Sequence, residues 1–367
     1  MDLRRYILHY GDLAETARDA FNSEEASRYA GSSRYAKRNL FARVGFANPF
    51  KYQVTKYFYA TSYDPIPEGL FVFSRSREAW SKESNWMGFV AVASDEGKVL
   101  LGRRDIVIAW RGAVREIERR DVVDFVLVPA TKIFGTDNIN TPMVGRGWYS
   151  IYTSPDPLSP FNKDSARDQV LAEVGRLLEQ YKGEEISITV IGHSLGATLA
   201  TLTAVDIVYN GINNDYPVTA FLSGSPKVGD WKFKTIFSSL ANLRALHVRN
   251  APDLLPKFPP LIGYADNIGI PLDIDTTKSF YLKFGSLQKW HHPEVYMHGI
   301  AGTQGINGGF KLEVKRDISL VNKYLDALKD EYCVPVSWWV EKNKGMVQQE
   351  DGSWILMDHE EDDDFPA

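Results

Sequence analysis

Gly192-His193-Ser194-Leu195-Gly196 stands between an apolar, β-branched run, Ile186-Ser187-Ile188-Thr189-Val190-Ile191, and a helix-forming run, Ala197-Thr198-Leu199-Ala200-Thr201-Leu202. The pattern demands a strand, an abrupt turn and a helix in immediate succession, and it reads as a nucleophile elbow. A serine hydroxyl is a poor nucleophile until it is lifted clear of its surroundings and offered to a base. The turn does the lifting, and Gly192 and Gly196 stand where a Cβ would collide with it. The helix that follows turns its free amides and positive end toward Ser194. Leu199, Leu202 and Val205 share one helical face, so that helix has a side to bury.

The rest of the chain supplies a sheet for such a turn. Residues 3 to 21 carry Leu3, Tyr6, Ile7, Tyr10, Leu13, Ala14, Ala17 and Phe21 at helical spacing. Tyr52, Val54, Tyr57 and Tyr59 suggest a strand over 52 to 60, and Ile106-Val107-Ile108-Ala109-Trp110 a short buried one. Gly88 to Ser94 and Val99 to Leu101 flank Asp95-Glu96-Gly97, which predicts a hairpin. An amphipathic helix follows over Asp164 to Tyr181, with Val170, Val174, Leu177, Leu178 and Tyr181 on one side. After the elbow come a strand over Val218 to Leu222, a helix near Trp231 to Leu240 and a strand over Leu243 to Val248.

Strands alternating with helices predict an α/β fold whose mostly parallel sheet is covered on both faces. The expected organisation is a single domain over 1–367, with a helical N-terminal layer over 1–50 and a β extension over 335–358 around Asp351-Gly352. An acidic tail over 359–367 is expected to be solvated. Its run His359-Glu360-Glu361-Asp362-Asp363-Asp364 offers oxygen ligands for a hard cation, but such runs are ordinarily free in solvent.

Composition excludes several classes. With 44% hydrophobic and 24% charged residues among 367, the chain can bury a large core. A net charge of -5 and the lack of a basic, aromatic-laced stripe argue against a nucleic-acid partner. No apolar run reaches the roughly 18 residues of a transmembrane segment. Met1-Asp2-Leu3-Arg4-Arg5 lacks an apolar signal core, and Cys333 is the only cysteine, so a cytoplasmic protein without an intrachain disulfide is expected. No metal-ligand spacing, phosphate loop or dinucleotide fingerprint appears, and no cofactor is expected.

A serine nucleophile needs a base and an acid behind it, which on this fold follow in the order Ser, Asp, His. Asp253 comes just after the strand Leu243 to Val248, whose end faces the same crevice as the elbow, in the proline-flanked loop Arg249-Asn250-Ala251-Pro252-Asp253-Leu254-Leu255-Pro256. The candidate bases are His291, His292 and His298, in Trp290-His291-His292-Pro293-Glu294-Val295-Tyr296-Met297-His298-Gly299. Spacing does not choose among them.

Four separated stretches, 186–210, 248–256, 290–305 and 334–358, resemble the plant class III lipases, specifically the cytosolic type II phospholipase A1 group. The resemblance implies the α/β-hydrolase fold of fungal-type class 3 lipases and a phospholipase A1 that releases the sn-1 fatty acid of glycerophospholipids. It implies that the catalytic histidine is the one directly after the aromatic residue, here His291. It also implies an oxyanion hole from the backbone amides of Ala113, in Trp110-Arg111-Gly112-Ala113, and Leu195. The family usually carries Thr or Ser where this chain has Ala113, and more often a tryptophan after the glutamate of Glu118-Arg119-Arg120-Asp121.

That second segment belongs to a candidate lid over 113–134. There Arg115, Glu116, Glu118, Arg119 and Arg120 mix with Ile117, Val122, Val123, Phe125, Val126 and Leu127, as in a hinged amphipathic cover or, alternatively, a core-packed connector. The expected partner is a lipid or other acyl-ester substrate, with transient contact at a membrane surface. Two other readings use the same residues: an esterase or acyltransferase for a specialised non-phospholipid ester, and a lipase-like scaffold without catalysis.

Overall fold

The computed structural model describes residues 2–64, 70–79, 84–113, 125–135, 140–266, 268–305, 307–339 and 345–362. Seven strands form one sheet: β1 (Tyr52–Ala60), β2 (Asn85–Ala93), β3 (Arg104–Trp110), β4 (Ile186–His193), β5 (Val218–Ser223), β6 (Leu243–Asn250) and β7 (Ile270–Ile274). They lie side by side in chain order. β2 runs antiparallel to both of its neighbours, β1 and β3, and every neighbouring pair from β3 to β7 is parallel. Seven helices matter below: α1 (Leu3–Asp19), α2 (Asp95–Leu101), α3 (Ala166–Gln180), α4 (Leu195–Tyr209), α5 (Trp231–Ser239), α6 (Leu287–His291) and α7 (Pro293–Gly302).

Both faces of the sheet are covered, so β3 and β4 are buried at every position rather than at alternate ones. Side chains of β3 still alternate in direction. Ile106, Ile108 and Trp110 pack with Val170, Val174 and Leu177 of α3 and Leu199, Leu202 and Val205 of α4. Val107 and Ala109 pack on the other face with Tyr10, Leu13, Ala14 and Ala17 of α1. Each large aliphatic side chain buried this way contributes about 1.5–3 kcal/mol. Asp105, fully buried between the layers, accepts from Tyr10 and Tyr52 hydroxyls at 2.8 and 2.7 Å and from Ser187 and Thr189 at 2.7 and 2.8 Å. Those four donors satisfy the charge and tie α1 to the sheet.

Two sequence expectations need correction. Asp95-Glu96-Gly97 does not turn a hairpin but opens α2. Ser94 caps that helix by accepting from the Gly97 amide at 3.2 Å, two acidic residues occupy its first turn, and Val99 and Leu100 face solvent. The strand-like look of Val99 to Leu101 is therefore a surface accident, and β2 pairs with β3 across the helix.

The tail is not left to solvent as far as Asp362. His359 Nδ1 donates to the Ser33 carbonyl at 2.9 Å and its ring stacks on Tyr29. Glu360 accepts from Arg43 Nε, Asn39 Nδ2 and the Ala36 amide, and Asp362 accepts from the Lys37 amide. Protein donors take up the Glu360 and Asp362 carboxylates.

Near the C-terminal end of the described residues Met346–Gln348 pairs antiparallel with Trp354–Leu356. Of the candidate lid, residues 114–124 lie outside the described residues. Beyond them Phe125, Leu127 and Phe134 pack on the core, and Leu127–Pro129 pairs with Met143–Gly145. No helix among the described residues is long and apolar enough to cross a membrane.

Candidate active site

Ser194 sits between the last residue of β4 and the first of α4 with φ 58° and ψ -128°, a conformation that costs a non-glycine residue about 1–3 kcal/mol. The surroundings hold it there. Its amide donates to the Ser223 carbonyl of β5 at 2.9 Å, and its carbonyl accepts from Ala197 N at 3.0 Å. A Cβ on Gly192 would lie 2.3 Å from the Gly196 carbonyl, and one on Gly196 would lie 2.5 Å from the Trp110 carbonyl. The two glycines therefore let the helix close onto the ends of β3 and β4.

His291 ends α6 and reaches the serine from the far side of the crevice. Its Nε2 lies 2.8 Å from Ser194 Oγ and its Nδ1 2.7 Å from Asp253 Oδ2. Asp253 follows β6 in a tight turn, its amide bonded to the Asn250 carbonyl. Its carboxylate is buried, with Oδ1 accepting from the Leu255 amide at 2.9 Å. Asn250 secures the approach by donating to the Trp290 carbonyl at 2.9 Å, next to His291, and to Thr276 Oγ1 at 2.8 Å.

Sequence reasoning missed Tyr296. From the first turns of α7 its hydroxyl donates to Asp253 Oδ2 at 2.5 Å and accepts from the Asn250 amide at 3.3 Å. Burial, then the adjacent carboxylate, holds the phenol pKa well above its ordinary value, so it acts as a donor. The available signal was a tyrosine rather than a phenylalanine on an apolar helix, since a buried hydroxyl needs a partner.

His193 lies beside the site, its ring 4.7 Å from that of His291, with burial and then His291 pushing its pKa well below the usual imidazole value. A Cβ on Gly224, at φ +59°, would lie 3.1 Å from His291 Cε1 and 3.2 Å from the Tyr296 hydroxyl. A side chain there would crowd all three rings and strain the left-handed backbone.

The remaining candidates fall as follows. β3 and β4 run in register, Trp110 beside Gly192, so the chain after β3 passes over the elbow. A Cβ on Gly112 would lie 2.7 Å from the His193 carbonyl and 3.7 Å from Ser194 Cβ, and half-buried Ala113 comes next. Leu195 opens α4 and is buried. His292 and His298 do not join the serine. His292 stands at the N-cap of α7, its Nδ1 3.2 Å from the Glu294 amide. His298 pairs with Ser279 Oγ at 2.7 Å, and burial lowers its pKa to about 4.

A buried carboxylate, an imidazole and a serine in one hydrogen-bonded line, on a sheet of this order, define a serine hydrolase of the α/β-hydrolase fold. The family described as Lipase (class 3) matches residues 107–262. Phospholipase A1-II 1 of Oryza sativa subsp. indica is 54% identical over 99% of this chain and 92% of its own length. Phospholipase A1-IIgamma of Arabidopsis thaliana is 55% identical over 99% of this chain and 89% of its own. Among solved structures, a triacylglycerol lipase from Penicillium expansum aligns over 73% of this chain and 79% of its own, 18% identical, with a TM-score of 0.43. The chain belongs to the plant class III lipases, in the phospholipase A1-II group.

Proposed function

We propose that this protein is a phospholipase A1 that hydrolyses the sn-1 ester of glycerophospholipids, with Ser194 as nucleophile, His291 as base and Asp253 as the acid that orients it. The observation that carries the reading is the single imidazole within 2.8 Å of both Ser194 Oγ and the Asp253 carboxylate. Ser194 Oγ attacks the ester carbonyl carbon while its proton passes to His291 Nε2. Asp253 keeps Nδ1 protonated and steadies the imidazolium. The amides of Ala113 and Leu195 bind the oxyanion, assisted by the positive end of α4.

Collapse of the tetrahedral adduct breaks the sn-1 C–O bond, and the leaving lysophospholipid oxygen takes the proton from Nε2. Water then attacks the acyl-enzyme, gives its proton to Nε2 and releases the fatty acid as Ser194 Oγ is reprotonated. The substrate is met transiently at a membrane surface, in the cytoplasm. The lone thiol of Cys333 suits that reducing compartment.

A second reading keeps the same residues for a non-phospholipid ester. It is favoured by Ala113, which supplies an amide but no hydroxyl where the resemblance to class III lipases implies Thr or Ser. The deciding experiment offers the purified protein phospholipids labelled separately at sn-1 and sn-2, galactolipids, acylglycerols and short esters. Release of sn-1 acid with fluorophosphonate labelling at Ser194 is expected, and Ser194→Ala is expected to lower turnover by about 10⁶. Near-normal activity in Ser194→Ala rejects the assignment, and turnover confined to short or specialised esters selects the second reading.

A further inference from the structure

His291 sits at the junction of α6 and α7, and that junction is gripped from the other end of the chain. α1 packs along α7: Ile7 and Leu8 share a cluster with Tyr296, Met297, Ile300 and Ala301. Gly11 permits the approach, since a Cβ there would meet the end of the Met297 side chain. Two polar links cross this contact at the first turn of α7. Arg316 joins Asp12 of α1, at 2.6 Å, to Glu294 of α7, at 2.7 Å. Arg18 Nη1 lies 2.6 Å from His292 Nε2, 274 residues away, and its guanidinium lies over the Tyr324 ring.

The His292 ring spans the junction itself. Its Nε2 faces Arg18 and its Nδ1 faces the Glu294 amide, and both of these neighbours can only donate. A neutral imidazole offers one lone pair, which at Nε2 takes the closer donor, Arg18, and leaves Nδ1–H beside the Glu294 amide, whereas a protonated ring would set N–H against N–H at both contacts, so the pair favours a neutral ring. Burial, then Arg18, pushes the His292 pKa far down, which agrees with that chemistry. A neutral ring also adds no second cation beside His291 when His291 takes the serine proton.

We propose that Arg18, acting through His292, is a positioning residue for the reaction: α1 fixes the α6–α7 junction and thereby the register of the His291 imidazole between Ser194 and Asp253. The Arg18 link acts on the residue directly after His291 and the Arg316 link on the first turn of α7, so a small slip there displaces Nε2 from Ser194 Oγ. This rests on the reading of His291 as the base.

The test compares Arg18→Met, Arg18→Lys, His292→Asn and the double variant Arg18→Met/His292→Asn in the full chain. Asn is a good N-cap residue whose shorter side chain removes the contact with Arg18. kcat and KM are measured on p-nitrophenyl butyrate, per site titrated with a fluorophosphonate, so unfolded molecules do not count. Arg18→Met is expected to lower kcat by about ten- to a hundredfold, as misplacement of a catalytic group does, with KM changed less than about twofold. Arg18→Lys, which restores a donor, is expected to recover most of the loss. The double variant is expected to be no worse than Arg18→Met alone.

A kcat for Arg18→Met within about twofold of the parent overturns the proposal. So does a double variant whose losses multiply, or an Arg18→Lys no better than Arg18→Met. Ser194→Ala run in the same assay separates the two claims. Retained activity there removes the reading of the triad, whereas a dead Ser194→Ala beside an unimpaired Arg18→Met removes only the role of Arg18.

Discussion

The Tyr296 hydroxyl lies 2.5 Å from Asp253 Oδ2 and links that carboxylate to the Asn250 amide at the end of β6. Asp253 thus accepts from three donors, Tyr296, His291 and the Leu255 amide, and has little freedom to turn. A carboxylate fixed in this way holds the imidazole in the Nδ1–H form, leaving Nε2 to accept from serine.

Tyr296→Phe removes one of those donors and leaves the buried Asn250 N–H without its acceptor. The expected outcome is a fall in kcat/KM of about tenfold, near 1.4 kcal/mol, together with a loss of roughly 1–3 kcal/mol in folding stability. Steady-state kinetics and urea unfolding check both. A variant that matches the parent in each would show that the hydroxyl does not hold Asp253.

Gly196→Ala tests the steric argument for the elbow. The added methyl would lie 2.5 Å from the Trp110 carbonyl and 3.0 Å from Gly112 N, so the segment leading to Ala113 must move. Displacement on the ångström scale predicts a drop in kcat of about 10²-fold with the fold retained. The rate of fluorophosphonate labelling, read beside circular dichroism, distinguishes a displaced site from an unfolded chain.

Glu15 predicts a pH dependence of stability rather than of catalysis. It is buried in α1, where desolvation raises its pKa from 4.5 to about 8 against the opposing pull of Arg18, while Asp19 and Glu294 add to the rise. The folded state therefore holds a proton between those values that the unfolded state has lost. The stabilising contribution is complete below about pH 4.5 and is lost as pH climbs toward 8. Glu15→Gln cannot ionise, so its stability relative to the parent should grow across that window by an amount on the order of a few kcal/mol. Urea midpoints at pH 5, 6, 7 and 8 read the difference, and a constant offset would contradict it.

Much of the architecture was legible because its signals are local. The strands over 52–60, 106–110, 218–222 and 243–248 and the helices over 3–21 and 164–181 lie within a few residues of their observed bounds. Helical and strand periods are imposed by neighbours in sequence. The error at Asp95-Glu96-Gly97 came from the same source. Val99 to Leu101 look like strand, but a capping serine with acidic residues in the first turn favours a helix end more strongly than three apolar residues favour a strand.

The candidate site divides differently. Ser194 could be named from the chain alone, because strand, turn, flanking glycines and helix are contiguous and each needs the others. The spacing of residues left His291, His292 and His298 open, and only the resemblance to class III lipases singled out His291. His291 and Ser194 are 97 residues apart, and what brings one imidazole to the serine while its neighbour turns to Arg18 is the packing of α1 against α7.

Tyr296 and the tail residues at the N-terminal layer have the same origin. Their partners come from remote segments, and a hydrogen bond of this kind exists only once the sheet has closed and desolvated both ends of it. Local stereochemistry by itself determined the elbow and the order of the elements. Tertiary packing decided which distant polar groups were buried together, because burial is what makes those pairings obligatory.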